Sequence, residues 1–424
     1  MNSYLGELRT QWRPLTSVIV GLSSGLVMSS YVIGIMGPYL VTEFGWAKED
    51  MALVGILALG AVLLLPLIGR MTDVFGVRKT AMIGVIASPV SYFILSRIDS
   101  FAAYAIMFAL QASILATTTP PVYCRIVVQY FKRARGLALG IAAAGPAMAV
   151  AVGGPLLNNF VDDYGWRAGY IAMAIYTAIS GILAMVLLPP ERRDGQAKAA
   201  KPKRAKEDYR MIFRSSAFWI LFAGILLCNL PQSIMMSQLS LILAENGASG
   251  KSASIMISSY AVGMIVGRLV SGVALDRFPA PLVATIGLAL SGIGLLIIAS
   301  GLDARPVVFF AVLTFGLSLG AESDVIAYLV VRNFGVKIYS SVHSILATST
   351  ALAAVLGSVM LSITLRYFVF YAPFLGVTGA LAVLGSLLFL FLPRNPQMED
   401  EPAGSTDHAE RGDTAPVEGK VAAA

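Results

Sequence analysis

Residues 69–79 read GRMTDVFGVRK, and residues 272–277 read GVALDR. Each stretch follows a long apolar run and sets a glycine four residues before an aspartate. Gly69 and Gly272 are 203 residues apart, as are Asp73 and Asp276. The same interval separates Val127-Val128-x-x-Phe131 from Val330-Val331-x-x-Phe334, and one of 204 separates Leu188-Pro189 from Leu392-Pro393. Three landmarks agreeing within one residue are the signature of an internal duplication, which sets the architecture before any single motif is read.

Around these landmarks the chain is strongly apolar. Of 424 residues, 57% are hydrophobic and 13% charged, where a soluble domain is about a quarter charged. Mean hydropathy is +0.76. So much apolar surface does not fit inside one water-facing core, so the bilayer is the expected solvent. A helix needs about 20 apolar residues to cross the hydrocarbon. That window predicts spans at 16–41, 51–70, 80–95, 101–128, 136–160 and 166–188, then at 218–243, 255–275, 281–300, 306–331, 340–365 and 368–392. The expected fold is all-α: twelve transmembrane helices in two pseudo-symmetric six-helix bundles, 1–190 and 216–394. A basic linker, 191–215, joins the bundles, and a polar tail, 395–424, is expected to be disordered.

Lys and Arg distribution predicts sidedness. With the N-terminus inside, twenty-one basic residues in loops and helix ends fall on the cytoplasmic face, nine of them in the linker, against six on the other: Lys48, Arg97, Arg167, Lys251, Arg305 and Arg366. Both termini are therefore expected in the cytoplasm. Topology also accounts for the net charge of +7 without nucleic acid as a partner. The linker has the composition of an anionic-lipid ligand, but its role as a charged tether needs none. The opening MNSYLGELRTQWRP runs into a span too long for a cleavable signal. Two cysteines, Cys124 and Cys228, lie in apolar runs, and the only histidines are His343 and His408. No metal set, cofactor or nucleophile–base spacing is expected, and so no enzyme.

GRMTDVFGVRK, in its place after the second span, resembles the loop motif of the major facilitator superfamily, G-x-x-x-D-R-x-G-x-R-K, with Val74 in place of the usual basic residue. The resemblance implies two parallel repeats about a substrate site near the midplane, a monomer, and a cytoplasmic gate to which Gly69, Asp73, Gly76, Arg78, Gly272, Asp276, Arg277 and Arg332 belong. Physically, the glycines permit close helix contact. Asp73 and Asp276, at helix C-termini where a negative charge opposes the macrodipole, should have cationic or helix-N-terminal partners. Further stretches are similar to the bacterial branch of oxalate–formate antiporters and monocarboxylate transporters: Phe44-Gly45-Trp46, Tyr130-Phe131-Lys132-Arg133-Ala134-Arg135-Gly136, Gly165-Trp166-Arg167, Gly267-Arg268, and Gly320-Ala321-Glu322-Ser323-Asp324. That branch implies inner-membrane uptake of small carboxylates, coupled to protons or a counter-anion.

Charges inside spans cost about 2.5–3.5 kcal/mol each on insertion scales and are functional or paired. Here they are Arg125, Arg268, Glu322 and Asp324. Arg268 stands eight residues before Asp276, about 12 Å along a helix, and Asp324 stands eight before Arg332, so the two inner charges are expected at one depth. Arg268 has two readings: bidentate docking of a substrate carboxylate, the role the resemblance implies, or permanent pairing with Asp324. Both hold if substrate competes with Asp324 and a proton on Asp324 frees the arginine. Glu322 and Asp324 lie about 200° apart on a helix, so only one faces a given cavity and carries protons. Arg125 is expected near the cytoplasmic gate. The eleventh span lacks a lysine, where the resemblance's oxalate transporters have one, which favours a monocarboxylate. Candidate polar lining comprises Tyr31, Gln111, Tyr123, Asn229, Gln232 and Tyr260, with Pro231 breaking the seventh helix. An exporter or exchanger of the same fold, or a transporter-like sensor, remains the alternative reading; the fifth helix has Gly145-Pro146 and Gly153-Gly154, a broken form of the exporters' GP-x-x-GG.

Overall fold

The computed structural model describes residues 4–46, 48–190, 205–232, 239, 242–243, 245, 251–301, 304–368 and 370–393. Most of the linker, the second half of the seventh span and the tail expected to be disordered lie outside these residues. The described elements are helical: α1 (Tyr4–Thr10), α2 (Trp12–Ser23), α3 (Leu26–Phe44), α4 (Lys48–Phe75), α5 (Val77–Leu95), α6 (Phe101–Leu115), α7 (Pro120–Tyr130), α8 (Arg135–Tyr164), α9 (Trp166–Leu187), α10 (Ala205–Arg214), α11 (Ser216–Asn229), α12 (Lys251–Arg277), α13 (Ala280–Ala299), α14 (Arg305–Phe334), α15 (Tyr339–Phe368) and α16 (Ala372–Leu388). Nine segments among them are long and apolar enough to cross a membrane, or ten if the bent pair Glu207–Arg214 and Ser216–Asn229 is one span. Helices α4 and α5 lie at the second and third expected spans, and α11 covers the first half of the seventh.

Three of the expected spans are interrupted. The first bends at Ser24 and Gly25, between α2 and α3. The fourth passes through a 3-10 turn at Ala116–Thr118 between α6 and α7, where Pro120 and Pro121 begin a new helix in the position that tolerates a missing N–H. These two breaks abut, because a Cβ on Gly25 would collide with the Thr118 side chain. The seventh span turns at Leu230 and Pro231, as expected from a proline that removes a donor from the helix ladder.

Glycines set how closely the halves approach. A Cβ on Gly69 of α4 would overlap Ser344 and the Ser340 carbonyl of α15. Gly136 of α8 and Gly272 of α12 meet backbone to backbone, and Gly140 packs on the Arg268 carbonyl. Such small-residue contacts are how helices bind in lipid, where no hydrophobic force separates them from tails. These contacts gather at the end of the bundle that holds Arg70, Arg78, Lys79 and Arg277, here called the basic end. Toward the other end, Gly34, Gly60, Gly153 and Gly154 would meet no atom within 4 Å of a Cβ.

The other end of the first half is tied by the two aromatic motifs. Phe44 and Trp46 stack with centroids 4.8 Å apart. The Trp166 indole donates to Glu43, and Arg167 bridges Glu43 at 2.5 Å and Asp99 at 2.7 Å. Both motifs thus form one structural knot.

Candidate functional site

The two aspartates of the repeat make the same contact in opposite directions. Asp73, ending α4, accepts from the backbone N–H groups of Ser340 at 3.1 Å and Ser341 at 2.7 Å, at the start of α15. Asp276, ending α12, accepts from Gly136 at 2.6 Å and Leu137 at 3.0 Å, at the start of α8. Each carboxylate leaves the unfavourable C-terminus of its own helix to cap the N-terminus of a helix in the other half. The helix-N-terminal partners expected for both residues are therefore present. Reinforcement differs: Asp73 is buried in an ion pair with Arg125 of α7, whereas Asp276 also accepts from the Tyr4 hydroxyl at 2.8 Å.

The Tyr4 contact belongs to a short helix that the sequence reading did not assign. From α1, Glu7 accepts from the amides of Lys132, Arg133 and Ala134 at 2.9, 3.0 and 2.8 Å. The helix therefore spans the interface, Glu7 on the first half and Tyr4 on the second. Gly76, between α4 and α5, has φ of 89°, a conformation glycine adopts without a Cβ clash. Arg78 and Arg277 are exposed and make no hydrogen bond or ion pair with the described residues, while Arg332 is half-buried near the end of α14.

Deeper along the same interface stand Arg268 and Asp324. The Arg268 guanidinium donates to the Ala143 carbonyl on α8. One Asp324 oxygen accepts from Ser323 at 3.3 Å; the other, Oδ2, is buried without a hydrogen-bond partner among the described residues. A Cβ on Gly140 would stand 3.4 Å from that oxygen. Arg268 and Asp324 thus meet α8 within one turn, at the common depth expected. They form no ion pair here, although Arg268 acts electrostatically on both Asp324 and Glu322. The permanent pairing of Arg268 with Asp324 is not what the structure holds.

Glu322 turns away, as its spacing required. It is buried in the second bundle and accepts from Asn229 Nδ2 at 2.7 Å. Gln232 lines the same small cavity, away from the Arg268 contact on α8.

The remaining candidates divide. Tyr31 of α3 is 47% exposed and borders an apolar cavity of about 270 Å³ between α3, α8 and α9, lined by Met28, Val32, Ala149, Val150 and Gly153. Ala149 lies six residues beyond Ala143, about 9 Å further along α8. Tyr260 stacks on Phe315 at 5.9 Å within electrostatic reach of Tyr31 and Glu322. Tyr123 is fully buried against Gly21, so in this conformation it lines no cavity. Gln111 accepts from Ser29 at 3.1 Å and donates to Ser91 at 2.8 Å, joining three spans as interior glue. His343 is buried and bonded to the Tyr339 hydroxyl at 2.9 Å.

The sequence profile of the Major Facilitator Superfamily matches residues 18–242 and again 221–420. The chain belongs to this superfamily. Members of the superfamily similar to it include human monocarboxylate transporter 11, 28% identical over 392 residues that cover 89% of this chain and 81% of the relative. Monocarboxylate transporter 4 of Gallus gallus is 24% identical over 409 residues, covering 90% and 84%. Among solved superfamily structures, the E. coli fucose:proton symporter superposes with a TM-score of 0.70 at 13% identity, covering 89% of this chain and 98% of the symporter. A bacterial homologue of the iron transporter ferroportin gives 0.69 at 14% identity, covering 90% and 98%. The fold is that of a membrane transporter, related in sequence to monocarboxylate transporters.

Proposed function

We propose that the chain takes up a small monocarboxylate across the plasma membrane, coupled to protons, by alternating access. The observation that carries this reading is Arg268, the cation that reaches the interface between halves at mid-depth and is held there by a backbone carbonyl rather than by a carboxylate. A guanidinium satisfied by one neutral acceptor keeps most of its five donors for an incoming anion. Asp324, packed one turn away with an uncompensated oxygen, is the proton carrier: an ionised carboxylate there is costly until a cation or proton compensates it. The relatives' names supply the substrate class. The apolar cavity beside Tyr31 suits the substrate's hydrocarbon body.

The basic end is the cytoplasmic gate, placed inside by the lysine and arginine bias, and it is shut by the crossed caps of Asp73 and Asp276 with the close contacts of Gly69 and Gly272. The conformation therefore faces outward, in the inner membrane if the cell is bacterial. Uptake of labelled monocarboxylates into proteoliposomes, with and without an inward proton gradient, tests the reading. Gradient-driven accumulation should vanish in Arg268→Ala, while Asp324→Asn should exchange substrate but no longer respond to the gradient. Carboxylate flux that Arg268→Ala leaves intact removes the docking role, and counter-flow that ignores pH replaces symport with exchange.

A further inference from the structure

Glu322 is absorbed by none of this. It stands in the second bundle, 8% exposed, beside a cavity of about 10 Å³ between α11, α13 and α14. Besides Glu322, Asn229, Gln232, Ser291 and Ser318 supply its oxygen-bearing walls, and the Cys228 thiol that also lines it donates to the Ala382 carbonyl. The volume is about that of one water molecule and excludes an organic substrate.

The walls have the chemistry of a hard-cation site. Ser291 and Ser318 both donate to the Leu288 carbonyl, at 2.8 and 3.3 Å, which leaves their oxygen lone pairs free to accept. The amide side chains of Asn229 and Gln232 line the cavity with them, Asn229 holding its Nδ2 on Glu322. With the Glu322 carboxylate, that makes five oxygen-bearing side chains and one formal negative charge. Oxygen-only ligation selects hard cations, and a single carboxylate neutralises a monovalent rather than a divalent one.

The backbone provides an independent pointer. Helix α11 ends at Asn229, ahead of the turn at Leu230 and Pro231. Pro231 has no N–H to return to the Leu227 carbonyl. The Leu227 carbonyl thus loses its usual helical donor at the negative end of a helix dipole, two residues before Asn229, which bonds the Glu322 carboxylate. Broken helices in transporters hold sodium or protons at such C-terminal ends.

We propose that Glu322, Asn229, Gln232, Ser291 and Ser318 bind one sodium ion at the break of the seventh span. The ion neutralises Glu322 and fastens the end of α11 to α13 and α14. It stands apart from the carboxylate route, so its test needs no substrate. Thermal unfolding of the purified full-length protein is measured in NaCl, KCl and choline chloride at equal ionic strength and pH. Sodium should raise the melting temperature saturably, choline should not, and Glu322→Gln should abolish the difference. Should Glu322→Gln fail to fold, Ser318→Ala and Gln232→Ala keep the charge, and each should raise the half-saturating sodium concentration about tenfold, as loss of one ligand to a charge does. Equal melting in sodium and choline, or a sodium effect that Ser318→Ala and Gln232→Ala both leave unchanged, overturns the site. A stabilisation that follows pH alone, alike in every salt, assigns Glu322 a proton instead.

Discussion

Replacing Asp276 with asparagine should open the basic end without unfolding the protein. In the closed arrangement its carboxylate accepts from Gly136 at 2.6 Å, Leu137 at 3.0 Å and Tyr4 at 2.8 Å. A hydrogen bond to a charged group is worth about 1.5–3 kcal/mol, and a neutral one about 0.5–1.5 kcal/mol. Asparagine keeps one acceptor oxygen and turns an NH₂ group toward an amide. At least one bond is lost and the others fall to neutral strength. When the interface opens, water takes over these groups in both proteins, so the difference falls on the closed state. The loss is about 2–4 kcal/mol, a shift of about 30- to 700-fold toward opening.

Cysteine accessibility reads that shift. Leu275 is 2% exposed, and a Cβ on Gly136 would stand 3.0 Å from its side chain. In a background lacking the two buried cysteines, Cys124 and Cys228, Leu275→Cys should react slowly with maleimide. Adding Asp276→Asn should accelerate labelling in proportion to the open population while reclosing is fast. Leu221, 0% exposed inside the second bundle, supplies the control: Leu221→Cys should stay protected. An acceleration at 275 below about threefold, equivalent to about 0.7 kcal/mol, would sink the argument. So would an equal acceleration at 221, which would mean global unfolding.

Asp73→Asn should be harsher, because it also breaks the buried ion pair with Arg125; breaking such a pair costs about 3–5 kcal/mol, read as a lower melting temperature that adding Arg125→Leu partly restores. Arg268→Lys keeps the charge but not the planar fork; initial uptake should fall at least about tenfold, the loss of about one charged hydrogen bond, and a normal rate would remove bidentate docking. Tyr4→Phe deletes a single bond and should speed labelling at 275 about fivefold, about 1 kcal/mol. Burial first, and then the bond to Asp276, push the Tyr4 phenol above its usual 10.0. The stability it adds is therefore complete below about pH 10 and lost only as pH rises through the raised value. Wild type and Tyr4→Phe should then show parallel opening between about pH 5 and about pH 9, and a divergence in that range would contradict this assignment.

Much of this was legible in the sequence because it rests on spacing. The repeat interval, the charge asymmetry and the eight-residue steps that set Arg268 and Asp324 at one depth all follow from helical rise. The capping of Asp73 and Asp276 followed from electrostatics at a helix C-terminus. What escaped depended on helix rotation. Spans that are apolar on every side carry no phase, so Tyr123 and Gln111 could not be told from cavity residues, nor could Arg268 be given its acceptor on Ala143. The breaks at Gly25 and Thr118 were hidden because a hydropathy window averages across them, although Ser23-Ser24-Gly25 and Thr117-Thr118-Thr119-Pro120-Pro121 carried the signal. Helix α1 is too short to register, and its partner Asp276 lies 272 residues from Tyr4.

The crossed caps also bear on ancestry. Each half supplies one carboxylate and one helix start, and receives the complementary pair from the other. Two identical six-helix chains meeting about a two-fold axis would have formed both contacts at once, since an isologous interface uses every patch twice. Fusion of such a dimer frees each copy of the contact to change alone. Arg125 beside one aspartate and Tyr4 beside the other are what that freedom has produced: a closure symmetric in its fastening and asymmetric in its strength.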